Sequence, residues 1–284
     1  MERDQKWLVP ALEHLEAFYW APGGPANKSH EALRTHGAGG WKDALALSYA
    51  DYAFERAGAP RSWGSISSEI VRRYSDPDLA GLARSAWREF KSQVEKPNPK
   101  NNALAFGMAK KPATMFVRRL SSDNYNIIHW AARLSSQGSV SVAGSQLRAL
   151  QGIGPKIAAL FLRDVVTSHN IPESRLDDRR EILPIDVWVR RGVSVLAGKP
   201  ELTNETRNAQ TTTFALAWAD SQGLGLATLD TGLWVLGARF ARSSERMAEA
   251  LQHRKVFESL ITEELARSER TVTALQQLRN AVFG

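Results

Sequence analysis

The residues best suited to chemistry lie in one short stretch. Gly144-Ser145-Gln146-Leu147-Arg148-Ala149-Leu150-Gln151-Gly152-Ile153-Gly154-Pro155-Lys156-Ile157-Ala158-Ala159-Leu160 sets a lysine just after a Gly-Ile-Gly turn. The two glycines allow a tight turn and close backbone approach. Pro155 suits the first position of a helix, where its missing N–H is not needed. The turn then offers free backbone N–H groups at a helix N-terminus, and such groups bind an anion without reading base sequence. Gly152, Ile153, Gly154 and Lys156 are the candidate DNA-phosphate-binding residues. Lys156 is also a candidate nucleophile. An attacking amine must be neutral, and two settings favour the neutral form: the first turn of a helix, where the dipole opposes a cation, and partial burial. The spacing predicts the first for Lys156, and burial would act in the same direction.

A second candidate lies downstream in Ile182-Leu183-Pro184-Ile185-Asp186-Val187-Trp188-Val189-Arg190-Arg191. An apolar run ends at Asp186, and a helical pattern begins. An aspartate there caps the helix, and the N-terminal dipole favours its ionised form. Such a carboxylate can also stabilise positive charge developing on a sugar. Taken singly, Lys156 reads as a phosphate contact and Asp186 as a structural cap. Their order, each in its own setting, favours a catalytic pair.

Together these segments resemble the helix-hairpin-helix DNA glycosylase superfamily. Leu150, Gly152, Ile153, Gly154 and Ala158 match the hairpin core L-x-G-I-G-x-x-x-A, and Ile182 to Asp186 is similar to the second signature of the family. The resemblance spans roughly residues 145–192. It implies that Lys156 and Asp186 are the catalytic lysine and aspartate. It also implies base excision with abasic-site lyase activity: the amine attacks C1′ of a flipped-out nucleotide, and a Schiff base permits strand cleavage by β-elimination. The implied partner is double-stranded DNA with a damaged or modified base, bound by a monomer. The chain has no cysteine, so it holds no iron–sulfur cluster of the kind found in the endonuclease III and adenine-glycosylase branches. Lysine at 156 also separates it from the monofunctional alkylation-repair branch. The fit is to the cluster-free, lysine-bearing group that includes the 8-oxoguanine enzymes, with an oxidised purine as substrate. No cofactor is required and no catalytic metal is expected; the resemblance gives the hairpin carbonyls a monovalent cation. Two other readings stay open: a hairpin protein that binds DNA without chemistry, and a glycosylase for another modified base, for example in phage defence. The segment between the two signatures is longer than in familiar members. Its extra material, Ser168 to Ile182, is rich in charge and reads as a solvated surface loop.

The elements that must hold these residues are helices. The expected helices are Lys6–Trp20, Trp41–Ala57, Ser67–Tyr74, Pro77–Val94, Ala113–Arg119 and Asn124–Leu134, then those flanking the hairpin. After residue 200 come Thr206–Ser221, Leu229–Ala241 and Ser244–Leu278, the last broken near Ile261-Thr262. Leu229 to Gly237 reads as a core helix with Asp230 as its cap, or as similar to a late helix of archaeal members. The only strand signal is Gly138-Ser139-Val140-Ser141-Val142, too short for a sheet. The expected class is all-α: a helix-hairpin-helix glycosylase-like fold with two helical subdomains and a DNA cleft between them. The organisation is 1–100, an N-terminal helical region; 101–200, the catalytic hairpin region; and 201–284, C-terminal helices that complete the fold.

Bulk composition agrees. The 284 residues are 43% hydrophobic and 24% charged, ordinary for a globular chain, and the net charge of +7 suits a polyanionic partner. Paired cations at Arg72-Arg73, Lys110-Lys111, Arg118-Arg119, Arg179-Arg180 and Arg190-Arg191 read as solvated helix faces, or as a phosphate track if several share one groove. No apolar run has the length of a membrane span, and the first residues do not read as a signal peptide, so the expected location is cytoplasmic, nucleoid-associated in a prokaryote. The nine tryptophans, among them Trp41, Trp63, Trp130, Trp188, Trp218 and Trp234, include candidates for stacking on a flipped base.

Overall fold

A computed structural model describes residues 6–26, 31–35, 40–48, 51–52, 62–73, 88–90, 92–93, 123, 125–149, 153–199 and 208–283. Among these the secondary structure is all-helical, without a strand. In chain order the helices are α1 (Leu8–Trp20), α2 (Trp41–Ser48), α3 (Ser62–Arg73), α4 (Ile127–Ser136), α5 (Val140–Arg148) and α6 (Pro155–Ser168). Two 3-10 turns follow, Glu173–Arg175 and Arg179–Ile182. Then come α7 (Val187–Leu196), α8 (Asn208–Gln222), α9 (Leu226–Val235), a π-helical turn (Leu236–Ala241), α10 (Ser244–Gln252) and α11 (Arg254–Phe283). The expected helix Ala113–Arg119, most of Pro77–Val94 and the Pro97–Asn102 connector lie outside the described residues. So do the pairs Lys110-Lys111 and Arg118-Arg119. Among the described residues no helix is long and apolar enough to cross a membrane.

The chain divides into two compact units. One comprises Met1–Tyr19 and Ile185–Gly284; the other is Trp20–Pro184. In the Trp20–Pro184 unit, α4 starts where the Asn126 side chain accepts from the Ile128 and His129 amides, both at 3.0 Å. It stops at Gly138, whose φ of 71° turns the chain left-handed, while the Ser139 amide returns to the Leu134 carbonyl. Next comes α5, over residues that had carried the strand signal. Alternation would put Val140 and Val142 on one face, but Val140 is 0% exposed and Val142 43%. The helix turns these two apart and instead buries Val140, Ala143 and Leu147 together. α6 packs against α4 and α5, and it buries Ile157, Ala158, Phe161 and Leu162.

Ser168 to Ile182 is not the solvated loop its charge suggested. Leu176, just after the first 3-10 turn, and Ile182, in the second, are buried, and the second turn packs on both α5 and α6. Most of the charges are spent locally: Arg179 pairs with Glu173 at 3.0 Å, and Arg180 with Asp178 at 2.6 Å. The arginines of α3 are also engaged, Arg73 with Glu89 at 2.7 Å and Arg72 with Asp43 at 3.9 Å. Arg72, Arg73 and Arg180 are exposed and Arg179 is partly so, and each is paired with a carboxylate.

In the other unit, α7 packs against α8, α9 and α10. Its core draws Leu8 and Leu12 from α1, Val189 and Val193 from α7, and Leu229 and Leu233 from α9. Trp7 meets Phe257 edge to face at 5.5 Å, and Tyr19 meets Trp234 at 5.7 Å. Asp230 does not cap α9, which opens on Gly225; it sits within the helix and is fully buried. The break in the last helical stretch falls at His253, not at Ile261-Thr262. His253 is extended (φ −133°, ψ 108°), and its carbonyl accepts the Val256 and Phe257 amides that start α11. Thr262 is held in the helix by its hydroxyl bond to the Glu258 carbonyl, 2.9 Å.

Candidate functional site

Helices α5 and α6 flank the Gly152-Ile153-Gly154 segment. Between them Leu150, Gln151 and Gly152 lie outside the described residues, and with them the hairpin carbonyls that the resemblance gives to a monovalent cation. From Ile153 onward the geometry is visible. Ile153 and Ile157 are buried. Gly154 is the N-cap of α6, extended at φ −80° and ψ 173°, and Pro155 takes the first helical position. Glycine has no side chain to bond the first-turn amides, and no side-chain cap is present. The amides of Gly154, Lys156 and Ile157 precede the first intrahelical bond, which runs from the Ala158 amide to the Gly154 carbonyl at 3.1 Å. A helix end of this construction suits an anion.

Lys156 occupies the second helical position. It lies in the first turn of the helix, as the spacing predicts. It is exposed, because the inward positions of that turn belong to Ile157 and Ala158. The lysine projects from the same helix end that carries the free amides.

Asp186 belongs to the other unit. It is half-buried and caps α7, with Oδ1 accepting from the Trp188 amide at 2.8 Å and the Val189 amide at 2.9 Å. Both bonds fall on one oxygen, and a charged cap at this end is favoured by the helix dipole. The apolar lead-in Ile182-Leu183-Pro184 is buried in the Trp20–Pro184 unit. The unit boundary therefore falls between Pro184 and Ile185, and Lys156 and Asp186 stand on different units.

Several contacts around these residues had no clear signal in the sequence. Trp188, two positions after Asp186, lies flat on Gly237, where an added Cβ would come within 2.5 Å of the indole. The Arg191 guanidinium sits over the same ring, 5.2 Å from its centroid. Trp188 is thus a wedge between α7 and the π-helical turn. Of the other tryptophans, Trp130 is buried in the core, Trp41, Trp218 and Trp234 are partly exposed, and the side chain of Trp63 is outside the described set.

Behind the hairpin, α6 carries a buried polar group. Tyr52 Oη donates to Asp164 Oδ2 at 2.9 Å, and Arg163 Nε to Asp164 Oδ1 at 2.8 Å, with all three residues nearly inaccessible. An Arg-Asp pair inside Phe161-Leu162-Arg163-Asp164-Val165-Val166 was the available signal, since charges in an apolar helical run must be paired. Among the described residues no group of acidic residues and histidines could hold a metal ion. Compared with known proteins, the chain matches no family model, no curated protein and no solved structure.

Proposed function

We propose that the protein is a DNA glycosylase with abasic-site lyase activity, acting on an oxidised purine such as 8-oxoguanine in duplex DNA. The observation that carries this reading is the first turn of α6, where exposed Lys156 and uncapped backbone amides share one helix end. The amides hold a phosphate and bring the amine to the sugar. The Lys156 amine attacks C1′ as the glycosidic bond breaks and its electron pair leaves with the base. The bound amine gives up one proton, the C1′–O4′ bond breaks and O4′ takes a proton, which opens the sugar ring and leaves an iminium at C1′; the iminium acidifies the C2′ proton, and its removal expels the 3′ phosphate. Asp186 contributes a carboxylate that stabilises positive charge on the sugar as the base departs. Neither a metal nor a redox cofactor takes part in these steps.

A second reading rests on the same lysine. An exposed amine is well suited to a phosphate contact, which favours a hairpin that binds DNA without chemistry. Borohydride trapping separates the two. With duplex DNA containing an abasic site, the wild-type protein is expected to give a covalent adduct that is absent from Lys156→Gln. Tight DNA binding with no adduct, under conditions that trap a known lyase, would leave only the binder. Base release from a panel of lesion duplexes identifies the substrate.

A further inference from the structure

The segment after α6 returns across the hairpin and is fastened to both ends of α5. At the N-terminal end, Ser139 holds the N-cap position but makes no capping bond. Asp177 supplies the missing cap from a distance: its Oδ1 accepts the Ser141 amide at 3.0 Å, and its Oδ2 takes the Ser141 hydroxyl. At the C-terminal end, Arg148 makes a two-pronged pair with Glu181, its Nη2 donating to Oε1 at 2.9 Å and its Nη1 to Oε2. Arg148 is the last residue of α5, at the lip of the hairpin turn. Glu181 lies in the 3-10 turn that packs on α6. One carboxylate therefore ties the end of one hairpin helix to an element seated on the other.

Two glycines record how closely the segment lies. A Cβ on Gly144, in the middle of α5, would overlap the Glu181 carboxylate. A Cβ on Gly138 would come within 3.0 Å of the Arg175 carbonyl. The ionisations fit the same contacts. The Glu181 hydrogen bond outweighs burial in raising Arg148. For Asp177, burial acts upward, but the Ser141 hydroxyl and amide bring its carboxyl below the usual range.

We propose that residues 169–184 form a strap that sets how the two hairpin helices meet, with Asp177 and Glu181 as positioning residues for the phosphate grip at Gly154 and Lys156. The strap deepens the DNA-binding reading above and rests on it. Two helices joined by a short turn can splay about that turn. A third element bonded to one helix and packed on the other removes this freedom before DNA arrives, and preorganisation of this kind strengthens binding without new contacts to the ligand.

The test uses the full chain with Asp177→Ala, with Glu181→Gln, and with the exchanged pair Arg148→Glu plus Glu181→Arg. Affinity for an undamaged duplex is expected to fall about fivefold in each single variant, the low end of the coupling between separate sites. The rate of adduct formation at saturating abasic DNA stays at the wild-type value, a split between binding and chemistry. Amide hydrogen exchange over residues 153–158 rises in both single variants, and the exchanged pair returns affinity and exchange toward wild type. Faster exchange confined to residues 173–183, with unchanged DNA affinity, would overturn the strap. If the wild-type protein has no affinity for DNA, the reading of the function fails, and exchange over 153–158 alone decides whether the strap sets the hairpin.

Discussion

Asp186 has two duties at once, and its chemistry separates them. As a cap it needs only an acceptor oxygen aimed at the Trp188 and Val189 amides. As a partner to a developing cation it needs charge. Asparagine satisfies the first and not the second. Asp186→Asn is therefore expected to unfold within a few tenths of a kcal/mol of wild type, while Asp186→Ala loses about 1 kcal/mol of stability. Both are expected to lose base release. A stable Asn variant with full activity in a base-release assay would reduce Asp186 to a cap. Lys156 has no comparable structural duty. It is exposed and bonds no neighbour among the described residues, so its replacement tests chemistry without disturbing the fold.

At the scale of elements, α6 joins two kinds of construction. Its first turn is left open, and its middle is locked by Tyr52, Asp164 and Arg163. A buried carboxylate requires its partners, and removing one leaves a desolvated charge under-bonded. Tyr52→Phe deletes a single hydroxyl and keeps the edge-to-face contact with Phe161, 5.2 Å between centroids. The expected loss is about 2 kcal/mol, as for a hydrogen bond to a charged group, read as a shift in the urea midpoint. A shift under a tenth of that size would show that Asp164 is satisfied without Tyr52. The same helix gives the reason for the strap: an open N-terminus cannot fix its own direction, so rigidity has to come from behind and beside it.

Across the molecule, charge and protonation set the working range. His169 ends α6 with Nε2 buried and unbonded. Burial pushes its imidazole below the ordinary range, His129 and Arg34 push the same way, and a hydrogen bond to the Leu33 carbonyl opposes them. The folded protein thus binds fewer protons here than the unfolded chain. Stability from this site is present above the unfolded value of about 6.5 and is lost as the pH falls from there through the lower folded value. The depressed carboxyls of Asp177 and Asp178 act in the same direction but only nearer pH 4, so the two windows are separate. Urea midpoints measured between pH 7.5 and 5.5 are expected to fall for wild type and to stay flat for His169→Gln. Equal slopes for the two proteins would remove His169 from the account.

Local rules carried much of this in the sequence. Gly154-Pro155 opening a helix, Asp186 capping the next, and helical spacing through most of the chain follow from backbone geometry and apolar periodicity, which act over a few residues. Contacts between distant segments decided the rest. Ser139 to Val142 alternates like a strand, yet Asp177 caps it and the buried side of Val140 makes it a helix. The charged run after Ser168 reads as solvated, yet Arg148 and Ser141 give its carboxylates partners on α5. Gly154-Pro155 puts Lys156 in a first helical turn, and packing decides that Ile157 and Ala158 take the inner positions of that turn and leave the lysine exposed. Spacing along the chain determines which helix end a residue occupies; what lies against that end depends on segments far away in sequence, and only the tertiary structure sets it.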